Sequence, residues 1–338
     1  MSDSKCVELR DALTASIQRN LSDAVLLSGG LDSSIIASIA ANLANLTGIT
    51  SVYGNAPDLT YAKIIADKYS IKHHIKHLTV DDVNDALENV VKIMRTFDPM
   101  EIRNTSVVYA SLKELKREGF HSVMTGDGGD ELFVGYNYMQ RLAVEKLEIE
   151  LVKLWQTMHF SSITVGKELG VNVKTPYLDK EFVEFAKHIP ISLKVREKDG
   201  TKWGKWILRS CFEDYLTKEV AWRTKMPLEV GAAINVFAER INSSINDTEF
   251  AEKVKYYASH DSVRIRDREH LHYYMIYRKF FDIPKSEECD ARCPDCMGCV
   301  RSDSSFSIYQ FLMDPNSCPQ EKRARARVRA RARKNSST

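Results

Sequence analysis

A chain of 338 residues with 43% hydrophobic and 28% charged residues has ordinary globular composition, enough for one large or two modest domains, and carries a formal net charge of +2. It holds no apolar run of the roughly eighteen residues a membrane span needs, and Met1-Ser2-Asp3-Ser4-Lys5 lacks the basic-then-apolar layout of a secretory signal, so the cytoplasm is the expected compartment. Residues 322–334 contain eight Lys or Arg and no acid, which leaves the rest mildly acidic and argues against a nucleic-acid-binding body.

Leu9, Leu13, Ile17 and Leu21 recur at every fourth position and predict an opening amphipathic helix over 5–21. The apolar run 24–27, stopped by Ser28-Gly29-Gly30, predicts a buried strand entering a turn; a helix over 33–46 and a strand over 50–54 follow. The alternation continues with a helix at 59–69, a strand at 72–78, helices at 81–95 and 105–118, and a strand at 122–125. Such regular alternation implies a doubly wound parallel α/β sheet covered on both faces. Beyond Gly135 strand signals vanish, and helices are predicted at 138–159, 180–188, 202–215 and 234–241. The expected organisation is an α/β nucleotide-binding domain over 1–135, a mostly helical substrate domain over 136–285, a cysteine knuckle over 286–300 and a disordered basic tail over 301–338.

In an open parallel sheet, ligands bind beyond the carboxyl ends of the strands, where loops run into helix N-termini. Ser28-Gly29-Gly30-Leu31-Asp32-Ser33-Ser34 stands at such a place. Paired glycines let the backbone approach an anion, and the serine hydroxyls add donors at the positive end of the next helix, so the string reads as a phosphate cradle. A bare phosphate would repel Asp32, whose presence implies a bridging divalent cation, most simply Mg²⁺. The plainer alternative is a tight turn with Ser33 as a helix cap. No Gly-x-x-x-x-Gly-Lys-Ser/Thr occurs, which disfavours γ-phosphoryl transfer on a Walker loop.

A second strand-to-helix loop, Thr125-Gly126-Asp127-Gly128-Gly129-Asp130-Glu131, packs carboxylates that repel one another unless a cation or a reacting group uses them. Two such loops at two strand ends can hold one Mg-pyrophosphate between them.

The loop at 28–34 resembles that of the PP-loop ATP pyrophosphatases (adenine nucleotide alpha hydrolase-like). Together with 126–136 it is similar to the synthetase domain of asparagine synthetases and the related β-lactam synthetases. Lys174-Thr175-Pro176-Tyr177-Leu178-Asp179, Gly204-Lys205-Trp206-Ile207-Leu208-Arg209 and Ala221-Trp222-Arg223-Thr224-Lys225 are similar to further segments of that family, in its order. The resemblance implies ATP-dependent adenylation of the aspartate side-chain carboxyl, release of pyrophosphate, and transfer of ammonia to give asparagine and AMP. It further implies nucleotide contacts from Leu27, Tyr53, Thr125 and Gly126, Mg-pyrophosphate on Asp32 and Asp130, support of the intermediate by Asp127, and Lys205 as catalytic lysine. Read without the resemblance, Lys205 is a solvated helix lysine; Arg209, one turn on, faces the same side and is open to two readings, a member of the site or a partner for Glu213 at i+4.

The sequence departs from the family in two places. The family opens with a cysteine-led glutaminase domain, whereas here Ser2 follows Met1 and one short helix precedes the first strand. Glutamine hydrolysis by that route is therefore not expected, and free ammonia or a separate glutaminase subunit is the implied source. The family's Glu-x-Arg pair before Pro176 is replaced by Asn172 and Lys174, which loses a bidentate guanidinium clamp.

Of seven cysteines, Cys289, Cys293, Cys296 and Cys299 crowd together at ligand spacing for Zn²⁺ or an iron–sulfur cluster, with reduced unligated thiols as the plainer alternative, while Cys6, Cys211 and Cys318 are scattered; the crowding and a cytosolic setting favour metal ligation over disulfides. The cluster and the Arg-Ala repeat at 323–333 sustain an alternative, a PP-loop tRNA-modifying enzyme of the thiolation type with a nucleic-acid partner; an adenylating amidotransferase acting on another carboxylate is a further one, and an inactive scaffold a third. His73, His74 and His77 alternate between the faces of a strand and read as ordinary histidines.

Overall fold

The computed structural model describes residues 3–284; the cysteine cluster, Cys318 and the Arg-Ala repeat lie outside the described residues. The chain runs α1 (Asp3–Arg19), β1 (Ala24–Leu26), α2 (Leu31–Ala40), β2 (Thr47–Val52), α3 (Asp58–Lys68), β3 (Lys72–His77), α4 (Val80–Met94), α5 (Pro99–Arg117) and β4 (Ser122–Met124). After β4 come α6 (Gly129–Phe133), α7 (Asn137–Gln140), α8 (Val144–Thr157), α9 (Ser161–Leu169) and β5 (Asn172–Lys174). A 3₁₀ turn (Pro176–Leu178), α10 (Lys180–Lys187), α11 (Ile191–Lys194), β6 (Val195–Lys198), β7 (Thr201–Gly204) and α12 (Trp206–Phe212) follow. The described residues end with α13 (Lys218–Ala221), α14 (Leu228–Gly231), α15 (Val236–Ser244), α16 (Asp247–His260) and α17 (Arg268–Phe280).

Five strands form one parallel sheet in the order β3-β2-β1-β4-β5. The chain steps outward from β1 to β3, then returns to lay β4 on the other side of β1, so the order reverses between β1 and β4. That reversal opens a crevice at the strands' carboxyl ends. One face of the sheet is covered by α1, α2, α3 and α12, where Leu9, Leu13, Ile17, Ile35 and Phe212 are fully buried. The other is covered by α4, α5, α9 and α17 around Val90, Leu112, Val165 and Leu271. Among the described residues no helix is long and apolar enough to cross a membrane.

Several elements differ from the sequence expectation, each for a local reason. α5 starts six residues before the expected position because Asp98 accepts from the amides of Met100 and Glu101, both at 3.0 Å, with Pro99 in the first helical position. β2 starts at Thr47 rather than residue 50: Gly48, which reads as a breaker, sits under Leu27, whose Cδ2 is 3.1 Å from where a Cβ would stand. Strands reappear after Gly135. β5 is a three-residue polar edge strand, and β6–β7 is an antiparallel hairpin turning on Asp199 (φ 51°) and Gly200 (φ 72°). That Asp-Gly pair is a hairpin signal hidden by flanking strands made of Arg, Glu and Lys.

Cys6 and Cys211, scattered in the sequence and set in a chain where disulfides were not favoured, form a disulfide with Cα atoms 5.1 Å apart, joining α1 to α12 across 205 residues of chain. Sequence separation concealed a proximity that the packing of α1 on α12 creates. The histidines lie as alternation predicts: His73 Nε2 is 2.8 Å from Thr50 Oγ1, while His74 faces Glu114 of α5 and Glu118 just past its end at 3.4 and 3.3 Å.

Candidate active site

The loop after β1 is shaped by its glycines. Gly29 has φ +72°, and a Cβ on it would lie 2.5 Å from the Asp58 carbonyl oxygen and 2.6 Å from the Ala62 amide nitrogen. The loop is thus pressed against the start of α3, which turns Ser28 and Asp32 toward the crevice. α2 begins directly at Leu31 with no side-chain cap, so its first amides stay available at the positive end of the helix. The Ser28 and Ser33 hydroxyls are 3.0 Å apart, and Ser33 also donates to the Gly30 carbonyl at 3.2 Å.

The loop after β4 approaches from the other side of the reversal. Gly129 allows the contact, since a Cβ there would stand 2.5 Å from Asp32 Oδ1. Asp127 accepts from Thr125 Oγ1 at 2.8 Å and from the hydroxyl of Ser162, which stands at the start of α9. Asp130 faces two ammonium groups: Lys205 Nζ lies 2.6 Å from its Oδ1 and Lys225 Nζ 2.5 Å from its Oδ2. Lys205 also pairs with Asp32. It reaches both acids because it occupies the left-handed region (φ 54°) between β7 and α12, with its amide held by the Phe133 carbonyl at 2.9 Å. It is 4% exposed, so the solvated-helix alternative fails.

Burial and charge set the ionisation of these groups. Burial alone would raise the Asp130 pKa, but Lys205 and Lys225 outweigh it and hold the carboxyl below the usual carboxylate range. For Asp32 burial prevails over Lys205 and pushes the carboxyl up; for Asp127 it prevails over the Ser162 and Thr125 hydrogen bonds. Burial opposes the charge on Lys205, yet Asp130 and Asp32 keep its pKa above the usual lysine value. Among the described residues, the buried Oδ1 of Asp32 has no hydrogen-bond donor. A bare carboxyl oxygen beside a second carboxylate is the kind of oxygen donor set a hard divalent cation takes, so the residues fit Mg²⁺.

These groups open on a cavity of 340 Å³. Of the residues singled out in the sequence, Leu27, Ser28, Gly30, Asp32, Ser33, Thr125, Gly126, Asp127, Asp130 and Lys205 are brought together on its walls. Gly29 lies behind the loop against α3, and Ser34 is fully buried within α2. Tyr53, expected at the nucleotide, packs edge-on against Phe237, its ring centroid 5.9 Å away, and it is its neighbour Val52 that lines the cavity. One residue of strand register decides this difference.

Sequence reasoning left Lys225, Arg223, Ser162 and Glu229, among other wall residues, without a role. Lys225 and Arg223 belong to a quoted segment, but nothing in it said where they point; Ser162 and Glu229 carried no signal. Arg223 donates to the Gly29 carbonyl at 2.8 Å, pairs with Asp58 and lies 3.9 Å over the Tyr61 ring, bracing the first loop from behind. Arg103 ties Glu229 (2.9 Å) to Glu269 of α17 (2.5 Å). Arg209 does not pair with Glu213, which accepts from the Trp222 indole at 2.8 Å; it binds backbone carbonyls.

A parallel sheet with a glycine-serine loop and an acidic loop flanking its point of reversal defines an α/β protein of the PP-loop class. The chain belongs to the asparagine synthase family, matching it over residues 8–164 and 165–279. It is 31% identical to asparagine synthetase B (glutamine-hydrolyzing) of Escherichia coli over 313 residues, covering 83% of this chain and 55% of that relative. It is 30% identical to the glutamine-hydrolyzing asparagine synthetase of Sandersonia aurantiaca over 305 residues, covering 82% and 58%. The chain thus spans a little over half the length of these curated relatives.

Proposed function

We propose that the chain is an ATP-dependent carbon–nitrogen ligase that adenylates the aspartate side-chain carboxyl and transfers ammonia to it, giving asparagine, AMP and pyrophosphate. The observation that carries this reading is the closure of Lys205 and Lys225 on Asp130, beside the uncommitted oxygen of Asp32, at the sheet's point of reversal. The relatives' activity is named for the same product.

Asp32 and Asp130 would hold Mg²⁺, which supplies charge neutralisation on the leaving pyrophosphate. Ser28, Ser33 and the free amides of α2 bind the phosphate oxygens, while Leu27, Val52, Thr125 and Gly126 lie beside the nucleoside. A carboxylate oxygen of aspartate displaces pyrophosphate from the α-phosphorus. Lys205 and Lys225 stand where negative charge develops on the departing group. Ammonia then attacks the acyl carbon, and AMP leaves with the former carboxylate oxygen. Asp127, its pKa raised by burial, accepts a proton from the attacking nitrogen.

The test supplies ATP, Mg²⁺, aspartate and ammonium and measures AMP, pyrophosphate and asparagine. Release of ADP, or turnover that ignores aspartate and demands another carboxylate, overturns the assignment. Asp32→Asn and Lys205→Ala are each expected to abolish pyrophosphate release.

A further inference from the structure

Arg209 is 6% exposed and faces no carboxylate at hydrogen-bond distance among its contacts. Its Nε donates to the Gly204 carbonyl at 3.0 Å, and one terminal nitrogen donates to the carbonyls of Ala221 at 2.6 Å and Arg223 at 3.1 Å. The guanidinium lies 5.0 Å over the Trp203 ring, and the residue forms part of the cavity wall. Burying a cation against three neutral carbonyls is costly, so the arrangement calls for a reason. The acceptors supply one. Gly204 immediately precedes Lys205, and Arg223 stands two residues before Lys225. Those two lysines come from separate segments and meet on the two oxygens of Asp130. At Gly204 the backbone packs close against the segment after α6, since a Cβ added there would stand 2.0 Å from the Val134 carbonyl oxygen.

We propose that Arg209 is a positioning residue: its planar fork spans the backbone ahead of Lys205 and ahead of Lys225 and so sets both ammonium groups on Asp130. This rests on the ligase reading for its kinetic consequence, but not for its geometric one. A lysine at 209 keeps the charge yet offers a single point donor, which cannot hold carbonyls in separate segments at once.

The experiment compares wild type, Arg209→Lys and Arg209→Met. Acetic anhydride labelling followed by mass spectrometry reads the reactivity of every lysine in each protein. Lys205 and Lys225 are expected to be protected in wild type and to gain about 10-fold or more in reactivity in both variants, while the other lysines stay within about twofold. Kinetically, kcat for pyrophosphate release is expected to fall about 10²-fold, as for an ångström-scale misplacement, with the Kd for ATP changing much less. Free guanidinium is expected to restore part of the rate in Arg209→Met.

Unchanged labelling of Lys205 and Lys225 in folded variants, or wild-type kcat in Arg209→Lys, overturns the proposal. Failure of both variants to fold also overturns it, since Arg209 would then hold the core as a whole. If wild type turns over no ATP with aspartate, the ligase reading fails by itself and the labelling still decides the role of Arg209.

Discussion

Lys225 places its ammonium 2.5 Å from Oδ2 of Asp130, the oxygen opposite the one that Lys205 holds at 2.6 Å. One carboxylate thereby gathers two cations whose attachment points lie 20 residues apart in sequence, and it stays ionised despite burial. Anything that disturbs this pair of contacts should register in ATP chemistry before it registers in folding.

Lys225→Ala is expected to lower kcat for pyrophosphate release by about 10²–10³, the usual cost of removing one preorganised charge from a reacting centre. Lys205→Ala should do at least as much, because it also leaves Asp32 and Asp130 facing each other without the shared ammonium. Steady-state pyrophosphate assays at saturating ATP decide this, and a wild-type rate in Lys225→Ala would remove that residue from the site.

Gly135→Ala should destroy the site, for its Cβ would stand 1.8 Å from Asp130 Oδ1 and 2.4 Å from Lys205 Cε. The control is Gly54→Ala. Gly54 has φ +55° but nothing within 4 Å of the added carbon, so only the backbone penalty of about 1–2 kcal/mol applies. ATP titration and urea midpoints should separate the two: lost binding for the first, a modest midpoint shift with intact binding for the second.

Reduction of the Cys6–Cys211 bond, or Cys6→Ser, is expected to cost about 2–5 kcal/mol, because the bond closes a loop of 205 residues in the unfolded chain. Urea melts with and without a thiol reductant read the difference. Wild type should move and Cys6→Ser should not; a reductant-insensitive wild type would show that α1 is held to α12 by packing and by the Arg10 hydrogen bond to the Cys211 carbonyl (2.8 Å).

Glu101 is held up to about 7 from 4.5 by burial, with Thr96 partly opposing. A folded-state pKa above the unfolded one means that the folded chain binds more protons between pH 4.5 and 7, so the contribution is present below that window and is lost as pH rises through it. Stability is therefore expected to fall between pH 5 and 8 by at most about 3 kcal/mol from this residue, and Glu101→Gln should flatten that slope. Urea midpoints of both proteins at the two pH values test it. Glu131, likewise raised to about 7 by burial, leaves a residual slope of the same sign.

Much of the site was legible in local sequence, for a physical reason. Gly29-Gly30, Asp32, Asp127 and Asp130 sit on strand-to-helix turns whose backbone demands glycine and whose chemistry demands acid, so their identities and their spacing carry the message without the rest of the chain. The same holds for the parallel sheet, since Val25, Val52 and Val123 declare buried strands and Leu9, Leu13 and Ile17 declare a helix face through periodicity alone.

Tertiary structure decided what periodicity does not encode. Which oxygen of Asp130 receives which lysine, that Arg209 binds carbonyls and not Glu213, that Tyr53 turns to Phe237 while Val52 meets the cavity, and that Cys6 finds Cys211 all depend on segments brought together over tens to hundreds of residues. Short polar elements such as Asn172–Lys174 likewise become strands only because β4 offers them an edge to pair with. A side chain's type is written locally, whereas its partner is chosen by the packing of the whole sheet and its two helical layers.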